Sequence, residues 1–339
     1  MTAIGRARAH TNIALIKYWG KRDKALFLPM NSSLSLTLDA FYTDTQVIFD
    51  EALTEDQFVL NGQNQTDSEV IKISQFLDLF RRAFKETRRA QVLSYNFVPT
   101  AAGLASSASA FAALAMAVNQ ALGLGLDRET LSTYARRGSG SSTRSLFGGF
   151  VEWDMGTTSE NSVAQPVDDA DWDVGMIVIA INTSKKTVSS RIGMDHTVST
   201  SPFYEAWKES AKHDLVAIKE AILARDFQTV GQITEHNGMK MHATTLSANP
   251  PFTYFEPETL RVQNLVRQIR EVTGLSAYMT MDAGPNVKVL CRASEMERLV
   301  AELAKDFPND KIITSLPGQA AYCLTEEEWR ESERRFYDD

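Results

Sequence analysis

The stretch NFVPTAAGLASSASAFAALAMAV, residues 96–118, runs from the end of a strand candidate through a proline and a glycine into an Ala-rich helix. Pro99 ends the strand because it has no N–H to give the ladder. Gly103 permits a tight backbone turn. Ser106 and Ser107 stand where the helix begins, running to Leu122 before Gly123. A helix N-terminus offers free N–H groups and the positive end of the macrodipole, so it can hold a phosphate. The small residues of the stretch, Gly103 and Ala105 among them, would let a polyphosphate approach the backbone, and serine hydroxyls can donate to phosphate oxygens or touch a bound Mg²⁺. The plainer alternative is that the serines only N-cap the helix. The stretch is neither a Walker A loop nor a Rossmann fingerprint, since GxxxxGK[ST] and GxGxxG are both absent.

Strands are expected on either side at Gly5–Ala9, Ser33–Leu38, Thr45–Phe49 and Val92–Phe97, with NGQNQ after FVL forming a hairpin turn. Helices are expected over Asp67–Thr87 and Asp127–Arg137. The apolar run VGMIVIAI, residues 174–181, reads as a buried strand, followed by long helices over Pro202–Arg225, Phe227–Met241 and Glu256–Thr273. Two strands, SAYMTMD and NVKVLCR, flank the turn AGP. A helix over Ser294–Asp306 and closing strands at Ile312–Ser315 and Ala321–Leu324 finish the chain. Helices interleaved with antiparallel strands give an α+β fold rather than a doubly wound sheet. A division near Ser184 gives an N-terminal domain, 1–184, and a C-terminal domain, 185–339, in keeping with a length of 339 residues.

A net charge of −8 gives no reason to expect nucleic acid, and there is no basic face studded with aromatics. An anionic small molecule would need a local pocket of cations. The two cysteines, Cys291 and Cys323, form no CxxC and read as buried, reduced strand residues. The N-terminal residues lack the apolar core of a signal peptide. The longest apolar helix candidate, residues 108–118, is shorter than the roughly 20 residues that span a bilayer. The expected protein is soluble and cytoplasmic. The five histidines show neither HxH nor HExxH spacing, and His236 and His242, six apart on a helix, do not share a face. They read as structural.

Four stretches besides the serine loop carry chemistry. ALIKYWGKRD, residues 14–23, concentrates Lys17, Lys21 and Arg22 beside Tyr18 and Trp19, with Lys24 just beyond. Asp282 stands where an apolar strand ends before AGP: a carboxylate able to face a cleft as a base, or a turn-capping Asp. GSGSSTR, residues 138–144, sets a bare run before Arg144, whose guanidinium can grip a carboxylate through two parallel N–H···O bonds. Ser139, Gly140 and Ser141 could donate to a diphosphate as a backbone nest. KKTVSSR places Lys185 and Lys186 before Ser190 and Arg191.

The serine loop resembles the phosphate loop of the GHMP kinase superfamily, Pro-x-x-x-Gly-Leu-x-Ser-Ser-Ala, through Pro99, Gly103, Leu104, Ser106, Ser107 and Ala108. In that superfamily PTAAGLASSASA is most similar to the mevalonate diphosphate decarboxylases. NIALIKYWGKRD, GSGSSTRSLFGGF, TVSSRIGM and MTMDAGPNVKVL resemble further signatures of that family, in order, across both domains.

The resemblance implies a ribosomal-S5-domain-2-like N-terminal domain, a ferredoxin-like C-terminal α/β sandwich and a homodimer. It implies ATP-dependent 3-phosphorylation of mevalonate 5-diphosphate, then loss of phosphate and CO₂ to give isopentenyl diphosphate. It further implies Asp282 as the base, Lys17 beside the reacting hydroxyl, and Arg144 on the C1 carboxylate. Tyr18, Lys21, Ser139, Gly140, Ser141, Ser190 and Arg191 bind substrate, while Trp19 shapes and dries the wall. Ser94, Asn96, Gly103, Leu104, Ala105, Ser106, Ser107 and Lys186 contact the nucleotide, Ser106 also touching Mg²⁺ carried by ATP. The competing readings are a mevalonate 3-kinase or a phosphomevalonate decarboxylase of the same fold. A nucleic-acid-binding module of the ribosomal-protein type is the non-enzyme alternative.

Overall fold

The alternation of Thr45–Asp50 is one end of a much longer strand. In the computed structural model, which describes residues 2–98, 106–182 and 188–338, the two strands expected at 33–38 and 45–49 are a single element of 18 residues. The chain begins with β1 (Ala3–Ile16), a short hairpin of β2 (Lys21–Asp23) and β3 (Leu28–Pro29), and β4 (Ser33–Asp50). β5 (Gln57–Leu60) and β6 (Gln63–Asn64) form the expected hairpin, its turn made by Asn61 and Gly62, both at positive φ. α1 (Asp67–Phe84), β7 (Arg89–Phe97), α2 (Ser107–Ala121) and α3 (Arg128–Gly138) follow, then β8 (Phe150–Trp153) and β9 (Ala164–Asp168). Next come β10 (Gly175–Ile179), α4 (Ser190–Thr200), α5 (Tyr204–Leu223), α6 (Phe227–Leu246) and α7 (Pro257–Thr273). β11 (Ala277–Met281), β12 (Val287–Cys291), α8 (Met296–Leu303), β13 (Ile312–Ser315), β14 (Tyr322–Cys323) and α9 (Glu326–Asp338) complete the chain.

Eight strands form the first sheet, along the path β14-β1-β4-β7-β5-β6 with β8 and β9 branching from β4. Four form the second, in the order β11-β12-β10-β13. β10 lies before the expected division at Ser184, yet its partners β12 and β13 come from the C-terminal half. β14 returns in the other direction, pairing Ala7 with Cys323.

Three apolar layers hold this together. One face of the first sheet packs Val47, Phe49 and Val92 against Phe76, Leu77 and Phe80 of α1 and the alanines of α2. α2 must be Ala-rich because it lies against β1 at close range: a Cβ at Gly5 would fall 2.0 Å from the Ala117 carbonyl oxygen. The opposite face joins Leu34, Leu36 and Phe150 to Met176 and Val178 of β10 and Ile218 and Ile222 of α5, so the two sheets share a core. α7 and α8 cover the far side of the second sheet through Val262, Val266 and Leu299. Among the described residues no helix is long and apolar enough to cross a membrane.

Several expectations need correction. The helix over 294–306 is a 3₁₀ turn, Ala293–Glu295, leading into the shorter α8. The chain does not finish on a strand but on α9, and a helix over Ser190–Thr200 adds to the expected elements. Residues 140–146 are a 3₁₀ helix, not a bare nest. Cys291 is buried as expected, but Cys323 is exposed, because its strand is a two-residue sheet edge.

Candidate active site

β1 carries the first functional group. Its pairing with β4 shifts register between His10 and Asn12, and again between Ala14 and Ile16, so the last turnings of the strand are re-aimed. Lys17 follows directly. Its backbone N–H donates to Asn237 Oδ1 of α6 at 2.9 Å, and its carbonyl accepts from Asn31 Nδ2 at 2.9 Å. Its Nζ donates to Asp282 Oδ1 at 2.8 Å and to the Ala14 carbonyl at 2.8 Å. Asp282 stands just beyond β11, where the Gly284 N–H closes the turn onto the Asp282 carbonyl at 2.8 Å. The opposite carboxylate oxygen, Oδ2, lies 3.3 Å from Lys288 Nζ on β12. Burial lowers the Lys17 pKa, and the neighbouring Asp282 carboxylate opposes that shift.

Arg144 ends the same cluster. The guanidinium is 1% exposed, and its partners are neutral: Nε donates to Ser35 Oγ at 2.9 Å and Asn12 Oδ1 at 3.3 Å, and Nη1 to Ser33 Oγ at 2.5 Å. Burial pushes its pKa down to about 10, still well above neutrality, against the pull of Asp282. Asn12 Nδ2 donates to the Ser141 carbonyl and Ser145 Oγ, which ties the 3₁₀ segment to β1. Lys17, Arg144 and Lys288 are all buried, and among the described residues the carboxylate in salt-bridge range of this group is Asp282. Three buried cations around one carboxylate make a locally cationic pocket in an acidic protein, and a desolvated surplus of that kind is relieved by an anion.

The remaining residues expected on the substrate side line the same space, a cavity of about 890 Å³. The Tyr18 ring leans on Trp153 at 4.9 Å, and its hydroxyl is buried with no hydrogen-bond partner among the described residues. Burial raises the Tyr18 pKa above the usual tyrosine range, so the group is a neutral donor. Trp19 is 2% exposed, set edge-on to Tyr254 and fixed by the Tyr204 hydroxyl, which donates to its carbonyl at 2.5 Å. Ser139 Oγ lies 3.2 Å from both Ser107 Oγ and Ser141 Oγ, a hydroxyl chain joining α2 to the 3₁₀ segment. Gly140 lies against the Tyr18 ring. Ser190 opens α4, where Ser189 Oγ caps the Ile192 N–H, and the exposed Arg191 follows. Lys21 Nζ lies over the Phe27 ring, and Arg191 stands near the same ring. Arg22 faces outward and donates to the Met155 and Gly156 carbonyls, while Lys24 pairs with Asp195.

The lining that comes from β5 and α1 is largely apolar, with Phe58, Leu60, Ile73, Phe76 and Leu79 forming the wall and Glu69, Lys72 and Gln75 among them. Ser94 and Asn96 of β7 border it. Ser94 Oγ is 2.8 Å from Thr45 Oγ1, and Asn96 Oδ1 accepts from Thr43 Oγ1 at 3.0 Å. Ser106 stands at the N-terminus of α2 without capping it through its side chain, which leaves the capping reading unsupported for that residue. Ser106 and Ser107 both line the cavity, and a helix N-terminus with two hydroxyls is chemically suited to phosphate oxygens and a metal ion carried with them. Gly103, Leu104, Ala105, Lys185 and Lys186 lie outside the described residues.

Sequence reasoning passed over Lys288, Asn12, Asn237 and Phe27. A lysine inside NVKVLCR, where every residue of β12 is buried, was the available signal for Lys288. His242 is structural in position: it is buried behind Asp282, its Nε2 is 3.4 Å from the Met281 carbonyl, and burial pushes its pKa to about 3.

The chain matches known families over nearly its whole length. A model described as the diphosphomevalonate decarboxylase-like N-terminal domain matches residues 9–164. One described as the mevalonate 5-diphosphate decarboxylase C-terminal domain matches residues 176–335. The diphosphomevalonate decarboxylase of Rattus norvegicus is 36% identical over 352 aligned residues, covering 96% of this chain and 86% of the relative. The crystal structure of mevalonate diphosphate decarboxylase from Staphylococcus aureus superposes with a TM-score of 0.93 at 48% identity, covering 96% of this chain and 99% of that one. A structure of MDDEF in complex with MVAPP, AMPPCP and magnesium gives a TM-score of 0.91 at 50% identity, with coverage of 96% and 99%.

Proposed function

Because the chain belongs to the diphosphomevalonate decarboxylase family, we propose that the cavity binds mevalonate 5-diphosphate at its cationic end and ATP with Mg²⁺ at its apolar end. The reaction is ATP-dependent: the tertiary 3-hydroxyl is phosphorylated, and phosphate and CO₂ then leave to give isopentenyl diphosphate and ADP. The observation that carries the assignment of roles is the Lys17–Asp282 contact of 2.8 Å, with buried Arg144 in the same cavity.

Asp282 accepts the hydroxyl proton. A tertiary alcohol is a very weak acid, so the transfer is late, as the oxygen bonds to the γ-phosphoryl group. Lys17 keeps Asp282 ionised and stands beside the reacting oxygen. Arg144 holds the C1 carboxylate and so aligns the departing CO₂ with the breaking C3–O bond. Tyr18, Lys21, Ser139, Gly140, Ser141, Ser190 and Arg191 hold the diphosphate, and Trp19 excludes water. Ser94 and Asn96 border the nucleobase, and Ser106 and Ser107 at the α2 N-terminus bind the phosphates, a role shared by Gly103, Leu104, Ala105 and Lys186. Mg²⁺, when bound with ATP, neutralises phosphate charge, and Ser106 is the residue suited to touch it. Two charges on the diphosphate side, Lys21 and Arg191, favour the diphosphate over the monophosphate as substrate.

We also read the enzyme as a cytoplasmic homodimer of a 1–184 and a 185–339 domain. Its two unbridged cysteines suit a reducing compartment, and the resemblance to the family supports pairing.

Carboxyl-labelled mevalonate 5-diphosphate with ATP and Mg²⁺ tests the reading. Labelled CO₂ with equimolar ADP and phosphate is expected. A stable phosphorylated product without CO₂ would instead make the protein a 3-kinase. Asp282→Asn is expected to keep substrate binding and lose kcat by several orders of magnitude, and near-normal turnover would remove Asp282 from the base role.

A further inference from the structure

Lys288 is placed in the reaction centre but has no part in the chemistry described above. It is the second residue of β12, between Val287 and Val289, in a strand buried from end to end. An ammonium in such a strand carries a desolvation cost that a hydrophobic residue of the same length would not. Its Nζ is 3.3 Å from Asp282 Oδ2 and donates to the Asn286 carbonyl at 3.2 Å. Asn286 is itself pinned, its Oδ1 accepting the Ile181 and Asn182 N–H groups at 2.7 and 3.0 Å. Lys17 reaches the other carboxylate oxygen from the first sheet. Asp282 is therefore bracketed by one ammonium on each oxygen, and the two ammoniums come from different sheets.

Charge balance does not account for this. Lys17 and Asp282 already neutralise each other, so Lys288 adds a positive charge to a cluster that contains buried Arg144 as well. Geometry gives it a different role. With both oxygens held, rotation of the carboxylate is closed. Holding both oxygens sets the side of the carboxylate that Asp282 presents where it is open to the cavity.

We infer that Lys288 is a positioning residue for the proton transfer: it fixes the Asp282 carboxylate and lowers its basicity, leaving Lys17 available to the reacting oxygen. Two ammoniums favour the ionised carboxylate before the substrate arrives and favour release of the proton after it has been taken up. Without Lys288, movement of Lys17 toward the developing charge would loosen the hold on the carboxylate. The inference rests on Asp282 acting as the base.

Among the described residues, the charged and titratable groups facing Asp282 include Lys17 just after β1, Lys288 from β12, Arg144 from the 3₁₀ segment and neutral His242 from α6. Replacing Lys288 by an uncharged residue raises the proton affinity of Asp282. Activity requires the ionised form, so the acid limb of the kcat–pH profile moves to higher pH.

The test is Lys288→Met in the full chain. It is expected to fold, since it places an apolar side chain in an apolar strand. Its acid limb should move up by about one pH unit or more, the displacement expected for losing one nearby cation. At neutral pH kcat should fall about tenfold or more, and KM for either substrate should change by less than about threefold. Substrate phosphates titrate identically with both proteins, so a displaced limb belongs to the enzyme. Lys288→Arg, which restores a charge, should return the limb toward the wild-type position. If Lys288→Met does not fold, Lys288→Gln, which keeps a donor and drops the charge, is read in the same way. An acid limb unmoved in the uncharged variant, or an unchanged kcat, overturns the inference. That failure is distinct from failure of the base assignment, which is read from Asp282→Asn: an inactive Asp282→Asn with an unmoved Lys288→Met limb rejects Lys288 alone.

Discussion

Lys21 Nζ sits 3.7 Å from the centroid of the Phe27 ring, across the turn between β2 and β3. The contact has a conformational cost: Phe27 has φ +55°, in the left-handed region that non-glycine residues rarely occupy. Asp23 Oδ1, accepting the Leu26 N–H at 2.7 Å, helps hold the turn. Arg191 stands 5.6 Å from the same ring, so one aromatic face system gathers two cations that otherwise repel each other. Burial, with the repulsion of Arg191, brings the Lys21 pKa down to about 8. A lysine that binds the diphosphate must be charged. Its contribution is therefore present below about pH 8 and lost as the pH rises through that value. KM for mevalonate 5-diphosphate should rise between pH 7.5 and 9 by about tenfold, while the KM for ATP stays flat over the same interval. Lys21→Met should abolish that rise, and Phe27→Leu should increase the KM at pH 7 a few-fold with kcat unchanged. A substrate KM independent of pH across this range would show that Lys21 does not bind the diphosphate.

Arg144 separates stability from activity. Its guanidinium is buried among Ser33, Ser35 and Asn12, none of which carries charge. Replacing a buried ion by an apolar side chain of similar length is often neutral or stabilising. Here the gain is offset by three acceptors losing a donor, at about 1 kcal/mol each. Arg144→Met should therefore leave unfolding stability within about 2 kcal/mol of the parent. Its kcat/KM should fall by about a thousandfold or more, through loss of the two-pronged grip on the carboxylate. Denaturant unfolding and steady-state kinetics on the same preparation check both halves. A large stability loss with modest kinetic change would make Arg144 a structural residue.

How far the sequence carries this picture depends on what kind of signal each residue leaves. The strand-to-helix passage at residues 96–118 and the order of the motifs specify the α+β architecture. Asp282, at the end of an apolar strand before AGP, reads locally as a turn cap, and the base role comes from the resemblance of the motif rather than from the position alone. The continuity of β4 through Asp39–Asp44 is not legible, since the exposed Asp39 and partly exposed Ala40 interrupt the alternation while Phe41 and Asp44 are buried. α9 had a signal, a capping box in which Glu328 Oε2 accepts the Thr325 N–H at 2.7 Å and Thr325 Oγ1 accepts the Glu328 N–H at 3.2 Å. The short apolar run before it reads more loudly as a closing strand. Phe27 leaves almost no local signal, and Lys288 only that of a lysine within an apolar strand. The role of Phe27 depends on a positive φ, and that of Lys288 on a strand pairing that sets it against a carboxylate six residues earlier in the chain.

Gly140 tests whether the wall behind Tyr18 is rigid. A Cβ at Gly140 would meet Tyr18 Cε1 at 2.8 Å and Cζ at 3.0 Å, with Trp153 Cη2 at 3.1 Å. Trp153 cannot give way easily: it is 0% exposed, and its Nε1 donates to Ser162 Oγ at 3.2 Å. The Tyr18 ring is bounded by Trp153 on the one side and open to the cavity on the other, so it is the group that moves. Gly140→Ala should therefore push the Tyr18 hydroxyl toward the substrate space, at a stability cost of about 1–3 kcal/mol for overpacking. The KM for mevalonate 5-diphosphate should rise about tenfold, whereas the apolar nucleotide end, lined by Phe58 and Phe76, should keep its KM for ATP. Pairing the change with Tyr18→Phe discriminates the mechanism. If the methyl acts by displacing the hydroxyl, the double variant should be little worse than the worse single one, because the group being displaced is already gone. Fully additive losses would mean that Gly140 serves the substrate through its own backbone instead.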